Sequence, residues 1–398
     1  MHILELPSFF PPYGGMFCVD QAKALAMQGN TVRIAACLNM SARLSPGLYL
    51  KAPLGTYITR VDGIEVMRKD LRGIPFFPKA CARHWVKAVE KLVDKYVEKF
   101  GKPDIIHAHC GKWAGYAAMK CGEKYGVPYV ITEHLPYMIL AEELGENIEK
   151  AWQVPYLRVA YRRADMVIPV SEELVGDIEM FMGKDYKWKF VSNTIDVDFF
   201  AYRKREGWKN KPFTVCCVAD FVPRKGYDVM FATLRRFIDG CKADVRVIVA
   251  GNGTTSMRMK NLLATYGLGD IVELLGKVDK HGVRDILYRS DCFLFATRSE
   301  VQPLVVLEAM STGMPVVTTE AVPKSERIDG GCFVAAVDDV EGLKDGLRRV
   351  YDMGSFDGAS LSAAVAALAS PKVVGKELSG LFGSLCEVFN TTENLSCK

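Results

Sequence analysis

The feature that most constrains the fold is a pattern met twice: a short apolar run, a glycine-bearing loop, a helix-period segment and a second apolar run. Residues 2–6 read as a buried strand, Gly14 and Gly15 fall in the loop that follows, 16–28 read as a helix and 31–37 as the next strand. Residues 213–219, 227–239 and 244–250 repeat the order, with Gly251 and Gly253 directly after. Strands this uniformly apolar are buried on both faces, so helices must cover both sides of a largely parallel sheet. Further strands are expected at 103–109, 127–134, 164–170, 189–192, 271–274, 292–296 and 314–319. At 398 residues the chain exceeds one compact core. The reading is α/β, with two doubly wound, Rossmann-like domains at 1–200 and 212–370 whose strand ends face each other across a cleft.

Composition places the join. Residues 202–211 hold five Arg or Lys against one Glu and show no period, which sets a basic linker at 201–211. That local surplus equals the net charge of the whole chain, +4, so nothing favours nucleic-acid binding. The twelve cysteines are scattered without C-x-x-C pairing, and the start has neither a basic n-region nor an apolar h-region. Reduced thiols in a cytoplasmic protein are therefore expected. No run reaches the roughly 18 apolar residues that span a bilayer. Residues 79–102 form an amphipathic helix with Trp85, Val89, Val93 and Val97 on one face and Arg83, Lys87, Lys91, Lys95 and Lys99 on another. A solvated lysine face is the plain reading. Weak peripheral contact with anionic lipid at the inner membrane face is the other.

Three places carry chemistry. His107 and His109 end one strand on the same side, and His134 ends another, where ligand sites of parallel sheets form. No recognised metal-ligand spacing surrounds them, so no metal is expected. Arg224 and Lys225 follow the first strand of the second half. Residues 300–319, EVQPLVVLEAMSTGMPVVTT, place Glu300 in a loop, Pro303, Leu304 and Val305 at a helix start, Glu308 within the helix and Gly313 at its end. Helix amides can hold phosphate, and carboxylates accept hydrogen bonds from sugar hydroxyls.

Together with PPYGG, DIIHAH, ADMVIPVSEEL, NTIDVDFF, RKGYD and VIVAGNG, this run resembles the E-x7-E signature of retaining glycosyltransferases of family four, which have the glycosyltransferase-B fold. The resemblance covers nearly the whole chain. It implies transfer of a sugar from a nucleotide diphosphate donor, of UDP or GDP type, to a sugar or lipid-linked acceptor hydroxyl, with retention and without metal or other cofactor. Surface polysaccharide or glycoconjugate assembly is the implied setting. The first domain would then take the acceptor and the second the donor, and the helix at 371–398 would pack back on the first. By position, Glu308 matches the ribose contact, Glu300 the donor-sugar contact, Lys225 the cation on the diphosphate and His109 the histidine near donor sugar and acceptor. Gly14 and Gly15 match the loop approaching the phosphates. Gly251, Gly253, Leu275, Gly276 and Lys277 match loops of the nucleotide pocket, and Asn193 completes the expected substrate-binding set. The sequence departs from the family where Gly-Arg is usual: Ala219 and Asp220 stand there, and Arg224 is the candidate replacement cation. Val301 and Gln302 also differ from the usual residues after the first Glu. A sugar-nucleotide epimerase and an inactive nucleotide-sugar-binding protein are the alternatives. A dehydrogenase lacks support because no G-x-G-x-x-G follows the first strand.

Overall fold

A computed structural model describes residues 1–40, 46–53, 55–72, 77–135, 151–241 and 243–396. It forms two compact units, Met1–Thr194 with Pro371–Lys398, and Ile195–Ser370.

The first unit is built on a seven-stranded sheet. Its strands are β1 (His2–Pro7), β2 (Thr31–Met40), β3 (Thr56–Val61), β4 (Ile64–Arg72), β5 (Ile105–His109), β6 (Tyr129–Glu133) and β7 (Met166–Pro169). The order across the sheet is β3-β4-β2-β1-β5-β6-β7, parallel except for the β3–β4 hairpin. Helices α1 (Met16–Ala26), α2 (Pro46–Lys51), α3 (Pro78–Phe100), α4 (Tyr116–Tyr125), α5 (Val154–Arg163) and α6 (Glu173–Met182) follow the strands in sequence. On α3, Trp85, Val89 and Val93 are buried and Arg83, Lys87, Lys91 and Lys95 exposed, so the two-faced pattern is real. Trp85 Nε1 also donates to the Cys37 carbonyl at 2.8 Å, locking the helix to β2.

The second unit carries β8 (Phe213–Val218), β9 (Val245–Ala250), β10 (Val272–Gly276), β11 (Cys292–Phe295), β12 (Val316–Thr319) and β13 (Cys332–Ala335), ordered β10-β9-β8-β11-β12-β13 and all parallel. Numbered locally this is 3-2-1-4-5-6, the order of dinucleotide-type doubly wound sheets. Helices α7 (Tyr227–Cys241), α8 (Met257–Thr265), α9 (Lys280–Arg289), α10 (Leu304–Ser311), α11 (Val340–Met353) and α12 (Ala359–Ala369) complete it. The final helix, α13 (Pro371–Ser396), returns to the first unit, where Val374, Leu378 and Phe382 join the core beside α1. A Cβ at Gly375 would lie 2.2 Å from the Ala24 carbonyl oxygen, so glycine sets how closely these helices approach.

Several expectations need correction. Residues 201–211 are part of the second unit, and the division falls at Thr194/Ile195. The basic side chains there satisfy element ends: Arg205 donates to the carbonyls of Leu287, Ser290 and Thr312, at 3.0, 3.1 and 2.7 Å, and Lys211 pairs with Asp291 at 2.7 Å. Trp208 is buried and its Nε1 donates to Tyr351 O. Residues 189–192 form no strand; the neighbouring Trp188 makes a single bridge to Val167. Helix α6 starts without a side-chain cap from Ser171. All eleven described cysteines are free thiols. Among the described residues, no helix is long and apolar enough to cross a membrane.

Candidate active site

In the second unit the strand order reverses between β8 and β11, so the loops after these strands flank the crevice where doubly wound sheets bind ligands. After β8, Pro223–Lys225 makes one 3-10 turn closed by Gly226 in the left-handed region, φ 62°. A Cβ at Gly226 would fall 1.8 Å from the Ala296 carbonyl oxygen, so only glycine lets this turn press against the loop after β11. Arg298 N donates to the Arg224 carbonyl at 2.7 Å, tying the loops together.

This seam brings the expected polar residues into contact. Lys225 Nζ forms an ion pair with Glu300 Oε1, the Thr297 hydroxyl lies 2.7 Å from the same oxygen, and Arg224 Nη1 lies 3.6 Å from Glu300 Oε2. The Glu300 and Lys225 side chains are only 7% and 12% exposed, whereas Arg224 is 34% exposed, so a shielded pair has one open cationic edge. Burial pulls the Lys225 ammonium below its usual value; Glu300 opposes the shift and Arg224 adds to it.

The neighbouring loops explain the departure at Asp220. Its Oδ1 accepts from Asn252 N at 2.8 Å, so the carboxylate holds the glycine loop after β9. Gly251, at φ 140°, passes so close that a Cβ would meet Ala219 O at 2.0 Å, and its amide donates to Gly276 O at 2.8 Å. Gly251, Gly253 and the Leu275–Gly276–Lys277 segment therefore share one rim beside the Arg224–Lys225 turn. Pro303 is the N-cap of α10, one place earlier than the first helical position, and Leu304 and Val305 open a first turn that no side chain caps. Glu308 lies one turn beyond Leu304 on the same face and is half-buried.

The first unit reverses its order between β1 and β5. Gly14 and Gly15 both have positive φ, and Gly15 is the N-cap of α1, where a Cβ would meet Phe9 O at 2.0 Å. At the strand ends, Glu5 Oε2 lies 2.6 Å from His109 Nε2 and 2.9 Å from His107 Nδ1. These three are fully buried and, among the described residues, are the cluster whose ligand atoms lie close enough for a metal; the Glu5–His109 contact is a hydrogen bond, and His107 Nδ1 approaches the same oxygen as a charge partner. Burial alone would raise the Glu5 carboxyl, but the charge and hydrogen bonds of His107 and His109 bring it down to about 2. Burial, reinforced by His107, lowers His109 to about 4 against the pull of Glu5.

An ionised Glu5 facing a neutral His109 fixes that ring's tautomer. His109 donates from Nε2, leaving Nδ1 bare to accept from His134 Nε2, 3.1 Å away. His134 is then a neutral ring with an unprotonated Nδ1, an atom with no hydrogen-bond partner among the described residues. Burial and the two other histidines keep it neutral. The Glu133 carboxylate accepts from the His134 and Leu135 amides at 2.9 Å, and Phe17 stacks on the His134 ring at 3.8 Å. Sequence reasoning singled out His109, which is sealed in; His134 is the half-exposed member. Glu5 was missed, although a lone acid inside an apolar strand signals buried partners. Asn193 is buried, its Oδ1 accepting from Gln21 Nε2 at 3.2 Å.

Two doubly wound units of this topology, with a cation–carboxylate seam at the second switch point, define the class of glycosyltransferase-B enzymes. Solved structures agree on the fold: sucrose-phosphate synthase from Thermosynechococcus elongatus superposes with a TM-score of 0.75 at 16% identity, covering 98% of this chain and 100% of that one. HepE of Anabaena in complex with UDP gives 0.71 at 17%, covering 96% and 100%. In sequence, residues 14–199 match the family described as Glycosyltransferase Family 4, and residues 198–358 match Glycosyl transferases group 1. The chain belongs to glycosyltransferase family four. Its relatives include TuaC of Bacillus subtilis, named for teichuronic acid biosynthesis, 26% identical over 80% of this chain and 81% of that protein. WcaL of Escherichia coli, named for colanic acid biosynthesis, is 24% identical over 71% of each.

Proposed function

We propose that this glycosyltransferase moves a sugar, with retention and without a metal, from a UDP- or GDP-type donor to an acceptor hydroxyl in the assembly of a surface polysaccharide or glycoconjugate. The observation that carries the reading is the convergence of Lys225, Arg224 and Glu300 on the switch point of the second sheet. When the bond from the anomeric carbon to the diphosphate oxygen breaks, its electron pair stays on that oxygen. Lys225, Arg224 and the α10 amides meet the added charge. Lys225 pairs with Glu300 in this structure, so an arriving diphosphate gives the ammonium a second anion. Glu300 is then placed to interact with the donor sugar and to stabilise positive charge at its anomeric carbon. Glu308 would accept from ribose hydroxyls, with Gly251, Gly253 and Leu275–Lys277 lining the base.

In the first unit, Gly14 and Gly15 would let backbone approach phosphate, and the partly exposed His134 ring would be the member of the histidine cluster that meets the sugars. His109 would act through His134. The teichuronic and colanic acid relatives support the polysaccharide setting. The test is a panel of UDP and GDP sugars screened by thermal shift, followed by transfer assays with the donors that bind. A donor at 100 times its Kd should stabilise the chain by about 2.7 kcal/mol. Stabilisation by none of them would remove the donor assignment, and epimerised donor without acceptor would favour an epimerase.

A further inference from the structure

We propose that a pocket in the first unit, walled by α3 and the turn after β5, binds the phosphorylated end of a hydrocarbon chain, an isoprenoid or acyl phosphate ester. The pocket encloses about 460 Å³. One wall is aromatic: Trp113 and Trp152 stack at 5.4 Å, and Tyr156 meets both edge-on at 6.3 Å. Ala82 and Val86, both buried, supply an aliphatic floor. The rim is cationic. Lys79, Arg83 and Lys87 recur at every fourth residue of α3, are all exposed, and span about 12 Å at the helical rise. Lys79 Nζ lies 5.7 Å from the centre of the Trp152 ring, so charge and aromatic surface adjoin. A further lining cation, Lys120, is already paired with Glu90.

The chemistry of this lining selects the ligand. Among the described residues it contains no Asp, Glu, Asn, Gln, Ser or Thr. Sugar hydroxyls must donate as well as accept, and here the two tyrosine hydroxyls are the side-chain oxygens that could receive them. A phosphate ester only accepts, which is what ammonium and guanidinium groups require. Its hydrocarbon would lie on the aromatic wall and aliphatic floor, as aromatic and basic side chains combine at lipid interfaces. Trp113 follows the carboxyl end of β5 by four residues, on the side where open parallel sheets bind ligands. That such an ester anchors the acceptor rests on the transferase reading; its binding does not.

The test is calorimetric titration of the full chain, without donor, using farnesyl diphosphate below its micelle concentration. Pyrophosphate and farnesol serve as controls. Farnesyl diphosphate should bind saturably and each control roughly tenfold or more weaker. Lys79→Gln with Arg83→Gln should lower affinity by about tenfold or more while leaving the unfolding midpoint unchanged, since both residues are exposed. Trp113→Leu should weaken farnesyl diphosphate and leave pyrophosphate unaffected. Pyrophosphate binding as tightly as the ester, and weakened equally by Lys79→Gln with Arg83→Gln, would reduce the pocket to an anion site, and equal farnesol binding would reduce it to an apolar surface. Parent affinity in both variants would place the ligand elsewhere. Each of these three results, or no saturable binding, overturns the proposal. Because no turnover is measured, failure here leaves the donor-site reading standing.

Discussion

Replacing Lys225 by Met separates the two things this side chain does. It removes the ammonium from Glu300, whose side chain is 7% exposed and whose remaining neighbours are the Thr297 hydroxyl and Arg224 at 3.6 Å. Breaking a buried pair on one side costs about 3 to 5 kcal/mol, and the nearby guanidinium puts this case at the low end, about 3 kcal/mol. In the proposed reaction the same ammonium would meet the charge left on the departing diphosphate. A positioned donor of this kind is worth about 2.7 to 4 kcal/mol, a loss of roughly a hundredfold to a thousandfold in kcat. Urea unfolding and initial-rate kinetics measure the two effects in parallel. Adding Glu300→Gln should return stability to within about 1 kcal/mol of the parent, because no bare charge is left buried, and should leave the rate low. A Lys225→Met enzyme with kcat within about threefold of the parent would refute the charge-neutralising role, whatever its stability.

Three further outcomes follow from the same geometry. Arg224→Ala should weaken donor binding by roughly tenfold, measured by calorimetry; a silent substitution would mean that Arg224 does not stand in for the cation absent at Asp220. Gly226→Ala forces a Cβ to within 1.8 Å of the Ala296 carbonyl at a φ of 62°, so donor binding should be lost and the thermal midpoint should fall; parent-like donor affinity would contradict the seam. Acid should unfold the first unit early. His109 sits near 4 rather than 6.5, so the unfolded chain takes up its proton first and about 3 kcal/mol is lost as pH falls from 6.5 to 4. Glu5, held to about 2, adds stability that is present above its ordinary value of 4.5 and is lost as pH falls from there through 2. Stability of the first unit that stays flat between pH 6.5 and 4, followed by circular dichroism, would contradict the assigned network.

Periodicity carried most of the fold. Largely apolar strands such as HILELP and VRVIVA are satisfied inside a two-sided sheet, and helix α3 announces its buried face through Trp85, Val89 and Val93. The β3–β4 hairpin went unread, although Asp62 and Gly63, at φ 47° and 86°, form the Asp-Gly turn that joins such strands. Local composition misled at 201–211: basic residues without period look like a linker, yet Arg205 and Lys211 find their carbonyl and carboxylate partners some 80 or more residues away. The placement of Glu300 and Glu308 was legible because both sit within one loop and helix. The histidine assignment was not, since the burial of His109 behind His134 depends on Glu5, over a hundred residues earlier.

The most direct test of the central claim is to follow the purified chain by proton NMR with a donor selected by thermal shift and a lipid-linked or free saccharide acceptor. The account predicts a product whose new glycosidic bond keeps the anomeric configuration of the donor, formed in the presence of EDTA. A product of inverted configuration, or transfer abolished by EDTA and restored by Mg²⁺, would contradict it.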